Sequence, residues 1–519
     1  MCVPVFVGAL DLTVVSAALP AIIFELGIPL QRGLGEASWI VSGYLLAYAL
    51  GIVLFARGSD LVGRRTAFLV ALVLFAIGSW LVATAREAPA TLIADVVRTA
   101  GGRPDASESA LYAVIIGRAV QGFAAGALVP VALALVGDLF AEGRRAFPLG
   151  VVVAIDTAGW VLGQLWGGVV VQLLPWQAIF WLNLPLTAVA FIAAWRWLPR
   201  PAQGGAHRPF DLPGGILLTI ALTGLNVALS GNESGRAGLG VPDQAPAYVL
   251  PALVVAAAAL AAFVARELRT PDPLIDLRPF AGRLSLAIAV NGLVGAALMV
   301  GLVSVPLLVN AAAFGAGPTA ALVSGALLSS LTVPLAIAAL GGGALVRRVG
   351  DRALAVAGLA LAALGFALLT QIPPEAAREA VTGALGPEAV AMSVALLVAG
   401  VGLGLTVAPL ATVVIDAAVP RDRGSAAAVV VAFRLIGMMV AVSALTTYGV
   451  RRWAALSPEA FAGIGTTDGQ RIQGAVLALT SRITAEMAAT AVGICVVAVL
   501  LALGLPPARE PAASPPGGA

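Results

Sequence analysis

Four charged side chains lie within long apolar stretches of the sequence, where a charge must be compensated by a partner or has a functional role. Asp11, Asp156 and Arg434 belong to three of these stretches, and Arg118 belongs to a fourth. The first three each lie about ten residues from the predicted cytoplasmic end, which at 1.5 Å per helical residue is roughly 15 Å deep. That depth is the middle of a bilayer, where ionisable residues are functional candidates.

The charges of these residues indicate proton chemistry. Two carboxylates and one guanidinium carry a net charge of −1 when all are ionised, so a single proton would neutralise the set. That proton would belong to the two interacting acids as a pair. The pattern therefore predicts a proton-coupling site of Asp11, Asp156 and Arg434, with a static salt bridge as the alternative. Arg118 either helps to set the protonation of Asp11 or hydrogen-bonds helix carbonyls.

The elements that must hold these residues are membrane-spanning helices. Of the 519 residues, 60% are hydrophobic and 11% are charged, whereas soluble domains carry about 25% charged residues. A spanning helix needs about 20 mostly apolar residues. Fourteen segments qualify: 2–25, 36–56, 66–84, 110–139, 147–173, 178–198, 212–231, 247–266, 284–313, 319–346, 353–372, 388–418, 424–450 and 483–505. The sequence thus predicts an all-α polytopic membrane protein with fourteen spans.

Arginine is more frequent in the connections on one side of these spans, and this predicts that both termini face the cytoplasm.

Metal sites, enzyme sites and nucleic-acid-binding surfaces find little support in the sequence. The single histidine, His207, lies in a polar stretch, and Cys2 and Cys495 lie in separate apolar segments. We therefore expect no metal site, no cofactor and no enzyme activity. No basic run interleaves with aromatic residues, so nucleic acid is not an expected partner. A receptor or scaffold would leave the midplane charges unexplained.

A loop motif occurs twice. Asp60, Gly63, Arg64 and Arg65 lie between spans 2 and 3. A weaker copy, with Gly343, Leu345, Arg348, Gly350 and Arg352, lies between spans 10 and 11. Ordinary positive-inside anchoring is one reading, and internal duplication of a six-span unit is the other. Asp138 and Asp60 lie at cytoplasmic helix ends near Arg64, where we expect an ion-pair network that locks a gate.

Duplication sets the expected domains. Residues 1–198 form an N-terminal six-helix bundle, 199–282 a linker with two extra spans, and 283–505 a C-terminal six-helix bundle. The helical patterns 424–456 and 471–505 are each long enough for roughly 50 Å of helix, against about 30 Å of hydrocarbon. We therefore predict an outer hairpin near 451–482. Residues 506–519, rich in proline, glycine and alanine, are expected to be a disordered cytoplasmic tail.

Several motifs resemble those of the major facilitator superfamily. Asp60-Leu-Val-Gly63-Arg64-Arg65 resembles its loop signature, and Arg118-Ala-Val-Gln121-Gly122 is similar to its fourth-span motif. The segment from Leu10 to Pro20 resembles the first span of its fourteen-span drug/proton antiporter branch. Five glycines fit the antiporter motif of the fifth span: Gly150, Gly159, Gly163, Gly167 and Gly168. The resemblance implies two six-helix bundles joined by two linker helices, and transport by alternating access.

Further segments resemble the mycobacterial triacylglyceride exporters. They are 27–29, 38–41, 278–280, 350–353 and 426–432. The resemblance implies an acid in span 1, an acid in span 5 and an arginine in span 13, which are Asp11, Asp156 and Arg434 here. It also implies export of a lipid-like molecule from the cytoplasmic membrane, driven by the proton gradient. An outer-face lipid-carrying lipoprotein is an implied partner, and the transporter itself is expected to be a monomer.

The cargo is open between two main classes. Spans 9, 10 and 11 contain no carboxylate, although an acid there would offset the desolvation of a cationic drug. This absence favours a neutral lipid or amphiphile over a cationic drug. A proton-coupled multidrug antiporter remains the alternative. A proton-coupled importer also remains open, since the fold does not set direction.

Overall fold

The computed structural model describes residues 1–27, 30–140, 146–199, 210–230, 247–271, 273–274, 283–313, 318–383, 386–417, 423–464 and 468–505. The regular elements in these ranges are sixteen helices, in agreement with the predicted all-α class. The first seven are α1 Cys2–Glu25, α2 Leu30–Val62, α3 Arg64–Ala83, α4 Ala88–Thr99, α5 Ala106–Leu139, α6 Ala146–Leu173 and α7 Gln177–Trp197.

Two linker helices and a second group of seven follow. The linker helices are α8 Leu212–Ser230 and α9 Val249–Arg269. The last seven are α10 Arg283–Ala312, α11 Pro318–Val349, α12 Asp351–Leu369, α13 Glu375–Thr382, α14 Pro387–Ala417, α15 Arg423–Ala460 and α16 Gly469–Ala502. The short helices α4 and α13 lie in the two long connections, 85–109 and 373–387, and pack against α5 and α14 respectively.

Packing divides the long helices into two groups with the same plan. In the first group α1 packs on α6, α2 and α3 pack on α5, and α3 packs on α7. In the second group α10 packs on α15, α11 and α12 pack on α14, and α12 packs on α16. We call these groups the N half (α1–α7) and the C half (α10–α16). The halves contact each other where α6 meets α11 and where α2 meets α15.

The repeated loop occupies the same place in both halves. Gly63 precedes α3 with φ = 85°, and Gly350 precedes α12 with φ = 87°. Positive φ is costly for residues with a Cβ, so each turn needs its glycine. The matching geometry agrees with an internal duplication. The predicted domain boundary at 282 lies outside the described residues, and the one at 198 lies close to their edge, so both boundaries stay predictions.

Small residues allow close contact within the N half. A Cβ at Gly159 would lie 2.6 Å from the Phe6 carbonyl oxygen, and one at Gly167 would lie 2.5 Å from that of Val14. Gly163, between them, faces Thr13 and Leu10. These glycines let α1 and α6 pack backbone to backbone, as is common between membrane helices. Gly168 faces α11, where its Cβ would lie 2.6 Å from Ala321 O. The side-chain environment of Gly150 lies outside the described residues.

Within the described ranges, twelve helices are long and apolar enough to cross a membrane, and Cys2–Val15 is a shorter apolar helix. The chain is therefore a multi-pass membrane protein. The predicted total of fourteen spans is not confirmed by this measure and stays a prediction. Both α1 and α6, which complete that number, are helical over 24 and 28 residues.

The last two long helices cover the region of the predicted outer hairpin near 451–482, and the outer position of that hairpin stays a prediction. Helix α15 has 38 residues and α16 has 34, and a turn after Ala460 separates them. A cluster near their middle ties them together. Arg452 donates to both carboxylate oxygens of Glu486 at 2.8 and 2.7 Å, and Tyr448 donates to Glu486 Oε2 at 2.7 Å. The tail 506–519 lies outside the described residues.

Candidate proton-coupling site

A fully buried ion pair lies in the middle of the N half. Arg118 on α5 pairs with Asp11 on α1, and both side chains have 0% exposure. Arg118 also donates to the main-chain oxygen of Asp11 at 3.2 Å and to Gln121 Oε1 at 2.8 Å. Arg118 thus makes both contacts that the sequence left open, one to the carboxylate and one to a helix carbonyl.

Further polar groups fix this pair in place. Asn183 on α7 donates to Asp11 Oδ1 at 3.2 Å, so each carboxylate oxygen has a partner. The Tyr44 ring on α2 lies 3.8 Å from the Arg118 guanidinium carbon, within cation–π range. The Tyr44 hydroxyl donates to Gly8 O at 3.1 Å. Gln121 in turn donates to Ser79 Oγ at 2.8 Å. Helices α1, α2, α3, α5 and α7 therefore contribute to one connected set of contacts around the Asp11–Arg118 pair.

The second acid has fewer contacts. Asp156 on α6 is half-buried, and its Oδ1 atom is buried without a hydrogen-bond partner. Arg434 on α15 is the cation that acts electrostatically on Asp156. Arg434 is also half-buried, and its guanidinium carbon lies 5.7 Å from the Trp160 ring centroid. Arg434 therefore lies beside α6, at a residue one helical turn from Asp156, and makes no close ion pair with Asp156.

The predicted cluster of Asp11, Asp156 and Arg434 is thus divided, and with Arg118 the four charged residues form two pairs. Asp11 is bound to Arg118 within the N half, whereas Asp156 faces Arg434 across the interface between the halves. Tyr48 on α2 lies between the two pairs. Its ring centroid is 5.9 Å from that of Tyr44, which contacts Arg118. Tyr48 is also close enough to Asp156 and Arg434 to interact with them electrostatically. Sequence depth alone placed Asp11 and Arg434 together, but it could not show which faces of the helices they occupy.

The gating residues are partly brought together. Arg64 pairs with Asp138 and donates to Ala134 O at 2.9 Å. Arg65 donates to Trp195 O on α7. Gly63 forms the turn, and the side chain of Asp60 lies outside the described residues. In the C half, Gly350 forms the matching turn and Arg352 is exposed.

Three residues of this site, Tyr44, Gln121 and Asn183, were not predicted. Gln121 and Asn183 are polar residues in apolar spans, and that was the available signal. Tyr44 carried no such signal, because an aromatic residue in a helix is ordinarily packing. The arrangement gives each carboxylate oxygen of Asp11 a hydrogen-bond partner and leaves Asp156 Oδ1 buried without one.

Comparison with known proteins identifies the family of this chain. The model of the Major Facilitator Superfamily matches residues 1–442. A triacylglyceride transporter of Mycobacterium tuberculosis (strain ATCC 25618 / H37Rv) is 36% identical over 460 residues, which are 86% of this chain and 81% of that protein. A triacylglyceride transporter of Mycolicibacterium hassiacum is 33% identical over 523 residues, covering 98% of this chain and 91% of its own.

Solved structures show the same fold. A bacterial homologue of the human lysosomal transporter Spinster, in an inward-facing and unoccupied conformation, aligns with a TM-score of 0.61 at 15% identity, over 97% of this chain and 94% of its own. The family match extends over most of the sequence and includes both loop motifs and the helices that carry the four charged residues. The chain belongs to the Major Facilitator Superfamily and is a membrane transporter.

Proposed function

We propose that this transporter uses the proton gradient to export a neutral, lipid-like molecule across the cytoplasmic membrane by alternating access. The observation that carries the coupling part is the half-buried Asp156, whose Oδ1 has no hydrogen-bond partner and which faces Arg434 across the two halves. A buried carboxylate without partners is unfavourable when charged. Binding and release of a proton at Asp156 would therefore favour different positions of α6 relative to α15.

Asp11 supports the same proposal from a different position. Its pair with Arg118 is completely buried, so removing either charge leaves the other uncompensated. Protonation of Asp11 would release Arg118 from its ionic partner. We propose that the two acids act as a coupled pair, with Tyr44 and Tyr48 packed between them.

The cargo is proposed from two supports. Two relatives, 36% and 33% identical to this chain, are named triacylglyceride transporters. In addition, residues 284–313, 319–346 and 353–372 contain no carboxylate that could compensate a cationic drug. A neutral lipid needs no such compensation.

The proposal extends to the orientation of the chain in the membrane and to its partner. Both termini are placed in the cytoplasm, and the α15–α16 hairpin then stands on the outer face. An apolar molecule that leaves the membrane must be shielded from water or handed on. We propose that the hairpin shields the exit or docks a lipid-carrying lipoprotein, and that the transporter works as a monomer.

Transport in proteoliposomes tests the cargo and the coupling together. Vesicles with an imposed proton gradient would be loaded with fluorescent triacylglycerol in one arm and a cationic dye in the other. We expect gradient-dependent movement of the lipid, abolished by a protonophore, and no movement of the dye. Dye transport without lipid transport would establish the multidrug alternative. Lipid transport that ignores the protonophore would refute proton coupling.

A further inference from the structure

The linker helix α8 is hydrogen-bonded to both halves through one amide. Asn226 has 0% exposure, and its Nδ2 donates to Ser42 Oγ on α2 at 3.4 Å. Ser443 Oγ on α15 donates to Asn226 Oδ1 at 2.7 Å. Ser42 and Ser443 are themselves 0% and 1% exposed. One side chain therefore bridges the N half and the C half inside an apolar bundle.

A second bond makes the same connection. Thr447 Oγ1, one helical turn beyond Ser443, donates to the main-chain oxygen of Leu229 on α8 at 2.8 Å. A buried amide without partners is costly in an apolar environment, so the sequence places hydroxyls opposite it on both neighbours. The bonds from α8 to α15 are shorter than the bond to α2, so α8 is held more firmly by the C half.

The position of this bridge along the membrane normal is informative. Ser42 precedes Gly63 by enough residues to lie roughly 30 Å from it along α2, at 1.5 Å per residue. The bridge is therefore at the membrane side opposite to the Gly63 loop. The Gly168–Ala321 contact lies on that same side, near the end of α6 and the start of α11. Both close contacts between the halves thus seal one end of the molecule.

We propose that Asn226 is a positioning residue that latches this end shut, and that α8 is part of the transport cycle rather than a passive tether. The proposal rests on the proposed function only in that the halves must separate at this end during alternating access. Separation of α2 from α15 must break at least one bond of Asn226. The latch would therefore set the ratio of closed to open molecules without contacting the proton site or the cargo.

A labelling experiment measures that ratio. Ala321 is 6% exposed beside α6, so Ala321→Cys would react only when this end opens. It would be introduced with Cys2→Ser and Cys495→Ser, and a membrane-impermeant maleimide would be applied from the side where the α15–α16 hairpin emerges. With Asn226→Leu we expect labelling to be about tenfold faster, as loss of two interhelical hydrogen bonds predicts. Ser443→Ala, which removes one bond, should give about threefold.

A matched control separates a latch from general destabilisation. Within the described part of the chain, the hydrogen bond of Asn310 on α10 stays in its own helix, where Asn310 donates to Pro306 O at 2.7 Å. Asn310→Leu should leave the labelling rate unchanged. An unchanged rate in folded Asn226→Leu protein would overturn the proposal, as would equal acceleration by Asn310→Leu. If Asn226→Leu does not fold, Ser443→Ala decides by the same criterion. The labelling rate is measured without cargo, so it can still be interpreted if the lipid-transport proposal fails.

Discussion

The two halves place different polar residues at matching positions of their first helices. Asp11 lies early in α1, and Asn291 lies early in α10. Both are buried and both face a glycine-packed neighbour, because α1 packs on α6 at Gly163 and α10 packs on α15 at Gly295. Asp11 is bound by the side chains of Arg118 and Asn183, whereas Asn291 donates to the main-chain oxygen of Val430.

This difference indicates a division of labour between similar folds. A carboxylate held by ionisable and amide side chains can exchange a proton, and its partners can rearrange when it does. An amide bound to a helix carbonyl has one charge state and a fixed partner. We infer that the N half carries the proton chemistry at this position, while the equivalent position in the C half is structural.

The largest expected effect comes from giving α1 the same polar residue that α10 has at the matching position. Asp11→Asn should reduce gradient-driven transport to the level of empty vesicles, because the neutral amide cannot take part in proton exchange. Asn291→Ser, the matched change in the C half, should retain most of the activity. Transport in proteoliposomes at equal protein content measures both. Normal rates with well-folded Asp11→Asn would place the coupling site elsewhere.

Next in size is the loss of the two arginines. Arg118→Ala leaves Asp11 charged and unpaired in a fully buried position, and should destabilise the protein by about 3–5 kcal/mol. Arg434→Ala should cost less, because Asp156 and Arg434 are half-buried and make no close ion pair. It should nevertheless slow transport and change the pH profile of the transport that remains. Thermal unfolding in detergent and transport at several pH values are the measurements. Equal losses of stability would show that the two pairs are equivalent.

Close packing of α1 on α6 gives a smaller effect. Gly163→Val places methyl groups against Thr13 and Leu10, and overpacking of this kind costs about 1–3 kcal/mol. Gly295→Val tests the equivalent contact of α10 with α15. Gly493→Val on α16 is the control, since no atom lies within 4 Å of a Cβ there. Unfolding midpoints should fall for the first two variants only. A matching fall for Gly493→Val would remove the packing explanation.

The smallest expected effect concerns the part of the C half that has no counterpart. Helices α15 and α16 have 38 and 34 residues, whereas α6 and α7 have 28 and 21. Deletion of 454–480 should impair lipid delivery and leave proton binding at Asp11 and Asp156 intact. Replacing only 457–470 by a short Gly/Ser linker is the control, because it leaves most of both helices. Full lipid export by the deep deletion, at matched expression, would show that the hairpin has no part in transport.

Composition and motif spacing were enough to predict the helical membrane fold and the superfamily. These features follow from local rules, because apolar length sets a span and the motifs are short stretches of sequence. The same rules identified Asp11, Arg118, Asp156 and Arg434 as buried charges, because a charge in an apolar stretch is visible in one dimension.

Tertiary structure decided which of these charges meet. Depth along a helix can be counted from the sequence, but the face of each helix that points at a neighbour depends on how all the helices pack. Packing joined Asp11 to Arg118 instead of to Arg434, and it brought in Tyr44, Asn183 and Gln121 from three other positions. It also placed Asn226 of the linker between Ser42 and Ser443, which are far apart in the chain and reach the same amide only because the halves close on each other.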